Sequence, residues 1–407
     1  MSPATPPRII IATQAVEGSL PALRLLKICA EFGPVAIMTP QAGPAEGNGV
    51  KFERILTGPE WFYRSLRVLC RKLGCLLPRG WREKWIEGFT EEALGVLRLG
   101  KTYRRTWRRL KLKPDVLVLD GAEFMSTAGK LAREAGIPVV YYVHEMFPNQ
   151  RAHYSRTLSN WFCKLESREC RHAQHIIVQH HLWGKLLRRR YRLAAAKFTE
   201  VTPSPDPQEP QPGSAPPEPL RLYYHGLFTD DRGLESLIKA VGLVPGVALD
   251  LRGTGPHEEA LRRSASLTGA VARIQFLPPL PTDQLAESGR AYDLGVVTGT
   301  REHLNGRMAA GMKLYENIAA GIGIFGYRAI TLRDTVRGHG IGFVYDGSSP
   351  EKAAVALRES LARRVEIPAM RQRAAAVART YFNSDMQYER LRQVIAAALA
   401  SASNTQP

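Results

Sequence analysis

The stretch VLVLDGAEFMSTAGKLAREAGIPVVYYVHE, Val116–Glu145, decides the fold. It opens on four apolar residues, Val116–Leu119, closed by Asp120-Gly121. It ends on Ile137–Val143, β-branched and aromatic, stopped by His144-Glu145. Between the two, Ser126–Glu134 reads as a helix. Strands that are apolar throughout, without alternation, are buried on both faces, and this requires a parallel sheet covered by helices on each side.

Upstream, Ile9–Gln14 is a short apolar run followed by a loop holding Gly18 and Ser19. Leu20–Phe32 has helical spacing at Leu23, Leu26 and Ala30, and Val35–Met38 is the next strand. Downstream, Ile176–Val178 is another buried run. The alternation then breaks at Ser204–Pro219 (SPDPQEPQPGSAPPEP), where seven of sixteen residues are proline. Proline removes backbone donors and fixes φ, so neither helix nor strand survives there. It is read as a linker or a mobile surface loop.

The pattern restarts beyond it. Leu222–Tyr224 is a strand ending at His225-Gly226, and Gly233–Val241 is a helix. Ala248–Leu251 ends at Gly253-Thr254-Gly255-Pro256, with a helix to about Ser266. Ile274–Leu277, Leu294–Val297, Ile322–Phe325 and Gly342–Tyr345 complete a second set of strands, and Pro350–Arg364 and Met370–Leu399 are closing helices. The fold class expected is α/β, two doubly wound Rossmann-like units facing across a cleft. The divisions are 1–203, a linker at 204–219, 220–385, and a terminal helix and tail at 386–407 that returns to the first unit. Open parallel sheets bind ligands at the carboxyl ends of their strands, which puts the site in the cleft.

The chain has 407 residues, 44% hydrophobic, which suits two packed domains and excludes disorder as the main state. No run approaches the ~20 apolar residues of a membrane span. Met1–Pro7 leads straight into Arg8-Ile9-Ile10-Ile11, a buried first strand in place of a signal peptide. Five cysteines are too few and odd for a disulfide framework, so a reducing cytoplasm is expected. Cys163, Cys170, His172 and His175 cluster in sequence, but their spacing matches no common zinc pattern. Buried thiols and surface imidazoles are the preferred reading, and no metal is expected.

Net charge is +18, which calls for a polyanionic partner or surface. Between Lys51 and Lys113 stand 17 basic and 6 acidic residues, over half of the excess. Tyr63–Leu77 sets Leu66, Leu69, Leu73 and Leu77 on one helical face against Arg64, Arg67 and Arg71. Val96–Leu110 repeats this with Leu99, Tyr103, Trp107 and Leu110 against Arg98, Lys101, Arg104, Arg105, Arg108 and Arg109. Basic amphipathic helices flanked by Trp61, Trp81 and Trp85 suit an anionic bilayer surface; a solvated face over the first sheet is the alternative.

Four motifs in order then carry a resemblance over nearly the whole chain. Tyr142-Val143-His144-Glu145-Met146-Phe147-Pro148 is similar to D-V-H-E-x-F-P, and Tyr224-His225-Gly226 with Arg232-Gly233-Leu234 resembles a strand-end glycine followed by basic-Gly-Leu. Gly253–Pro256 resembles G-D-G-P, and Lys313-Leu314-Tyr315-Glu316 with Gly321 resembles K-L-F-E-Y-M-A-A-G. Together they resemble the retaining GT-B glycosyltransferases of the "group 1", family 4-like superfamily. The resemblance implies transfer of a sugar from a nucleotide-diphosphate-sugar donor to a lipid-linked or polysaccharide acceptor.

Such a donor leaves as a diphosphate, whose growing charge must be stabilised. The sequence holds no D-x-D for a divalent cation, so cationic side chains and helix N-termini are expected to serve, with no metal and no other cofactor. Gly311, Met312 and Lys313 open a helix whose free N–H groups form an anion site; Arg232 adds a charge near another. By resemblance Glu316 accepts from the ribose hydroxyls, Gly226, Gly253 and Leu277 line the donor, and His144 hydrogen-bonds the donor sugar near the reacting carbon. Gly18 and Ser19 receive the acceptor. Against these readings, first-turn cations are often solvated, an early Glu often serves the helix dipole, and Lys313 with Glu316 forms a possible i,i+3 ion pair.

Three departures stand out. Leu227 replaces the arginine that often follows the strand-end glycine, Met308 replaces an acidic residue eight positions before Glu316, and His180-His181 stands where a small polar residue is common. Two other classes remain. A GT-B nucleotide-sugar epimerase or inactive nucleotide-sugar-binding relative shares the motifs. A basic nucleic-acid-binding protein shares the charge, but no helix-turn-helix, zinc-finger or RNP-like sequence is present, so no nucleic-acid partner is expected. The expected location is cytoplasmic, peripheral on the inner face of the cell membrane.

Overall fold

The computed structural model describes residues 9–13, 20–39, 46–47, 50–51, 53–55, 104, 107–108, 113–121, 124–144, 156–209, 218–299, 304–308 and 311–403. The chain divides into two compact units, residues 1–201 with 388–407, and residues 202–387.

In the first unit, seven strands form one parallel sheet: β1 (Ile9–Thr13), β2 (Val35–Met38), β3 (Glu53–Ile55), β4 (Val116–Asp120), β5 (Val139–Val143), β6 (His175–Val178) and β7 (Phe198–Glu200). Their order is β3-β2-β1-β4-β5-β6-β7. Every residue of β1, β2, β4 and β5 is buried, as their unbroken apolar runs require. The expected strand Ile137–Val143 starts two residues later, because Pro138 has no N–H for the ladder and offers only its carbonyl to Leu117. The expected helix Ser126–Glu134 is a wider π turn at Met125–Gly129 followed by an α-helix, Lys130–Glu134.

In the second unit, β8 (Leu220–His225), β9 (Val247–Arg252), β10 (Ile274–Leu277), β11 (Leu294–Val297), β12 (Gly323–Tyr327) and β13 (Gly342–Tyr345) are likewise all parallel. Their order, β10-β9-β8-β11-β12-β13, is the doubly wound arrangement. The fold class read from the sequence therefore holds in each unit.

Two segments differ from expectation. Ser204–Glu209 has no regular structure, yet it is not a loose tether. Ser204 is fully buried, Gln208 N donates to Ala319 O at 2.8 Å, and Arg290 donates to the Glu209 carbonyl. The single helix expected over Met370–Leu399 is two, Ile367–Thr380 and Ser384–Ser403. Phe382 turns inward at the break to meet Tyr315 edge-on, and Asn383 Oδ1 accepts from Met386 N, capping the second helix. That helix starts in the second unit and passes into the first, where Leu391, Val394, Ile395 and Ala398 pack in one cluster with Ile9, Ile11, Val116 and Val118.

Ile395 has no exposed surface. Ile395→Ala is expected to destabilise the first unit by about 2–5 kcal/mol, read as a lowered urea midpoint of its unfolding transition.

Candidate active site

Each sheet reverses its winding once, between β1 and β4 and between β8 and β11, and the polar residues of both units gather at those carboxyl ends. In the first unit Thr13 closes β1, Asp120 closes β4 and His144 follows β5. Thr13 Oγ1 donates to Asp120 Oδ2 at 2.7 Å, and His144 Nε2 bonds Asp120 Oδ1. With the carboxylate engaged at both oxygens, the imidazole is held through Nε2 and lies tilted against the Tyr142 ring, centroids 4.7 Å apart. The His144 side chain keeps a quarter of its surface exposed. Gly18 and Ser19 lie outside the described residues, as do Glu145–Pro148.

In the second unit the loops after β8 and β9 are tied backbone to backbone. Gly226 N donates to Arg252 O, Gly253 N to Leu277 O, Phe228 N to Thr254 O, and His257 N to Phe228 O. Gly253 sits at φ +144°, and a Cβ there would lie 2.0 Å from the Gly226 carbonyl oxygen. Leu277 thus acts through its carbonyl, fixing Gly253.

Gly226 (φ +128°) leaves room for Lys313. A Cβ at Gly226 would stand 2.5 Å from Lys313 Cε and 2.8 Å from Nζ. The ammonium lies 5.5 Å from the centroid of Tyr224, whose hydroxyl donates to Leu227 O. Burial, and then repulsion from Arg232, push Lys313 down to about 8. Among the described residues it has no carboxylate within ion-pair distance, so the i,i+3 pair with Glu316 does not form. Arg232 closes a 3₁₀ turn, Asp230–Arg232, just before Gly233 and the helix Leu234–Gly242. Its buried Nε has no hydrogen-bond partner among the described residues and lies 3.7 Å from Asp231 Oδ1.

Gly311 is the extended N-cap of the helix Met312–Ala319, which has no side-chain cap. Among the described residues nothing lies within 4 Å of where a Cβ on Gly311 would be. One turn on, Glu316 is buried, and its Oε2 is bonded at 2.7 Å to His225 Nε2, also buried. His225 Nδ1 has no partner among the described residues.

The structure therefore brings Gly226, Arg232, Gly253, Leu277, Lys313 and Glu316 to one carboxyl edge, with Met312 and Gly311 at the adjoining helix start. Asp120, Thr13 and His225 went unread in the sequence. A polar residue ending a buried strand was the available signal for each. The histidine pair is partly explained: His180 Nδ1 accepts from Leu182 N and caps the helix His181–Tyr191.

Comparisons agree with this construction. The model of Glycosyltransferase Family 4 matches residues 65–209, and that of Glycosyl transferases group 1 matches residues 206–380. Sucrose-phosphate synthase from Thermosynechococcus elongatus is 15% identical, covering 97% of this chain and 100% of its own, with TM-score 0.70. HepE of Anabaena, solved in complex with UDP, is 14% identical over 97% of this chain and 100% of its own, with TM-score 0.65. WaaG, a glycosyltransferase involved in lipopolysaccharide biosynthesis, is 14% identical over 95% and 99%, with TM-score 0.62. No curated protein matches the sequence. Two doubly wound units with these neighbours define the GT-B fold. The chain belongs to the group 1 glycosyltransferases, and it is a glycosyltransferase enzyme.

Gly253→Ala forces a side chain onto the Gly226 carbonyl at positive φ. A loss of at least about 2 kcal/mol is expected, read by chemical denaturation of the second unit.

Proposed function

We propose that the second unit holds a nucleotide-diphosphate-sugar through its diphosphate and ribose, and that the first unit presents the acceptor and the reacting sugar at the His144 edge. The observation that carries this is the Lys313–Arg232 pair. Two cations held near each other, one of them desolvated and, among the described residues, without a carboxylate at ion-pair distance, form a site suited to an anion. The uncapped start of the helix Met312–Ala319 adds N–H donors of the same sign.

The departing diphosphate gains charge as the bond from the sugar's anomeric carbon to phosphate oxygen breaks. Lys313, Arg232 and the helix start stabilise that charge, so no step requires a metal ion. The acceptor hydroxyl forms the new bond to the same carbon, and its proton passes to the departing phosphate oxygen. Attack on the face the leaving group vacates retains configuration, as the family resemblance implies. Glu316 receives the ribose hydroxyls at Oε1, since Oε2 is taken by His225. His144, locked by Asp120, bonds a hydroxyl of the donor sugar. The solved complexes of HepE hold UDP and UDP-glucose, which supports a uridine nucleotide as the first donor to test.

The acceptor is proposed as a lipid-linked or polysaccharide glycan taken at an anionic membrane surface on its cytoplasmic side. No helix among the described residues is long and apolar enough to cross a membrane. Tyr63–Leu77 lies outside those residues. Of Val96–Leu110, Arg104 and Arg108 are exposed and Trp107 is buried, supporting the separation of basic from apolar faces. Replacing Arg104, Arg105, Arg108 and Arg109 with glutamine is expected to abolish sedimentation with anionic vesicles; unchanged sedimentation rejects the membrane reading.

Donor binding is tested by titrating UDP against pH. Lys313 is charged below about 8, and a bound diphosphate raises its pKa. Affinity is therefore full below pH 8 and falls as pH rises, by up to about tenfold per unit while only the bound form keeps the proton. Lys313→Met should bind more weakly at pH 7 and lose this slope. Glu316→Ala should narrow the preference for UDP over 2′-deoxy-UDP. A flat wild-type profile together with unchanged ribose discrimination overturns the reading.

A further inference from the structure

The first unit carries a concavity that the donor chemistry does not use. It lies between the helix His181–Tyr191 and the edge strand β7, and holds about 170 Å³. Val178, Gly184, Ala195 and Phe198 supply its apolar lining, and His181, Lys185, Arg188 and Glu200 its polar lining. The three basic residues are spaced i, i+4 and i+7, so they form one stripe along a single helix face, about 10 Å long at 1.5 Å per residue. Among the described residues neither Lys185 nor Arg188 has an ion-pair partner. Lys197, the other nearby cation, is turned away and donates to the carbonyls of Arg171 and Ala173.

Size and charge narrow the occupant. Substrate pockets usually hold roughly 300–1,000 Å³, so this one takes a portion of a larger ligand. Two permanent cations against one carboxylate leave one positive charge in excess, and the ammonium, guanidinium and imidazole together offer more donors than the two oxygens of a carboxylate accept, which suits the oxygens of a phosphate or diphosphate. Position gives the pocket a context. Val178 is the register partner of Val143, the residue before His144, so the lining of the pocket reaches the carboxyl edge one strand away from His144.

We propose that this pocket binds a diphosphate group, and that in the reaction the group belongs to the acceptor. Its assignment to the acceptor rests on the glycosyl-transfer reading above; the pocket's affinity for diphosphate does not. The arrangement also gives the second residue of the His180-His181 pair a use, with His180 closing the helix start and His181 lining the pocket.

Isothermal titration of the full chain under saturating UDP, with the donor edge filled, tests this using inorganic pyrophosphate and farnesyl diphosphate as probes. One further site is expected in wild type, weakened at least tenfold in Lys185→Gln/Arg188→Gln. It should be unchanged in Arg189→Gln, an exposed arginine outside the pocket. Tighter binding of farnesyl diphosphate than of pyrophosphate assigns the group to a lipid-borne acceptor. Equal binding keeps the diphosphate site and removes the lipid from it. Absence of the additional site, or equal affinity in the double variant and wild type, overturns the proposal. UDP binding is read in the same experiments, so its failure in wild type strikes the donor reading separately.

Discussion

A strand buried on both faces tolerates polar side chains only at its ends, and this constraint shapes both units. In β1, β4 and β5 the interior is apolar or aromatic, in β8 it is so from Leu222 onward, and the last or next residue is Thr13, Asp120, His144 or His225. Parallel pairing then sets these ends side by side, since every strand exits at the same edge. The Thr13–Asp120–His144 chain and the His225–Glu316 pair arise from this arrangement, one at each sheet's reversal of winding.

The second unit adds a device that holds a buried cation, Lys313, close to a second one, Arg232. The β8 and β9 loops are so tightly interlaced that neither Gly226 nor Gly253 has space for a Cβ, and the vacancy at Gly226 is where the Lys313 side chain lies. Lys313 is thereby dehydrated and brought within reach of Arg232's field. The sequence has Leu227 where relatives often place an arginine, and Leu227 is mostly exposed. The charge at this edge is supplied from the helix Met312–Ala319 instead. Folding free energy spent on desolvating Lys313 is returned when an anion arrives.

Much of the fold was legible because continuous apolar runs and glycine-marked strand ends are local signals. Residues 204–209 and 218–219, the described part of the proline-rich segment, lack helix and strand as expected, but the docking through Gln208 and Ala319 depends on a distant carbonyl that no local pattern encodes. The break at Tyr381–Asn383 was missed because helical spacing runs through it. Asn383 was the readable cap, and Phe382's burial against Tyr315 is a tertiary event. At the site, glycines and charges were found by motif. His225, Asp120 and Thr13 were not, since each matters through a partner on another strand or helix.

The terminal helix has a consequence for how the protein is made. Ile395 and its neighbours complete a core whose other members lie before residue 202, so the first unit is discontinuous in the chain. On the ribosome, its sheet must wait for nearly two hundred further residues, roughly ten to forty seconds of translation at typical rates. The second unit, continuous from 202 to 387, has all its residues first. Synthesis order and assembly order are thus inverted, and the amino-terminal sheet is the portion that a nascent-chain chaperone would have to shelter.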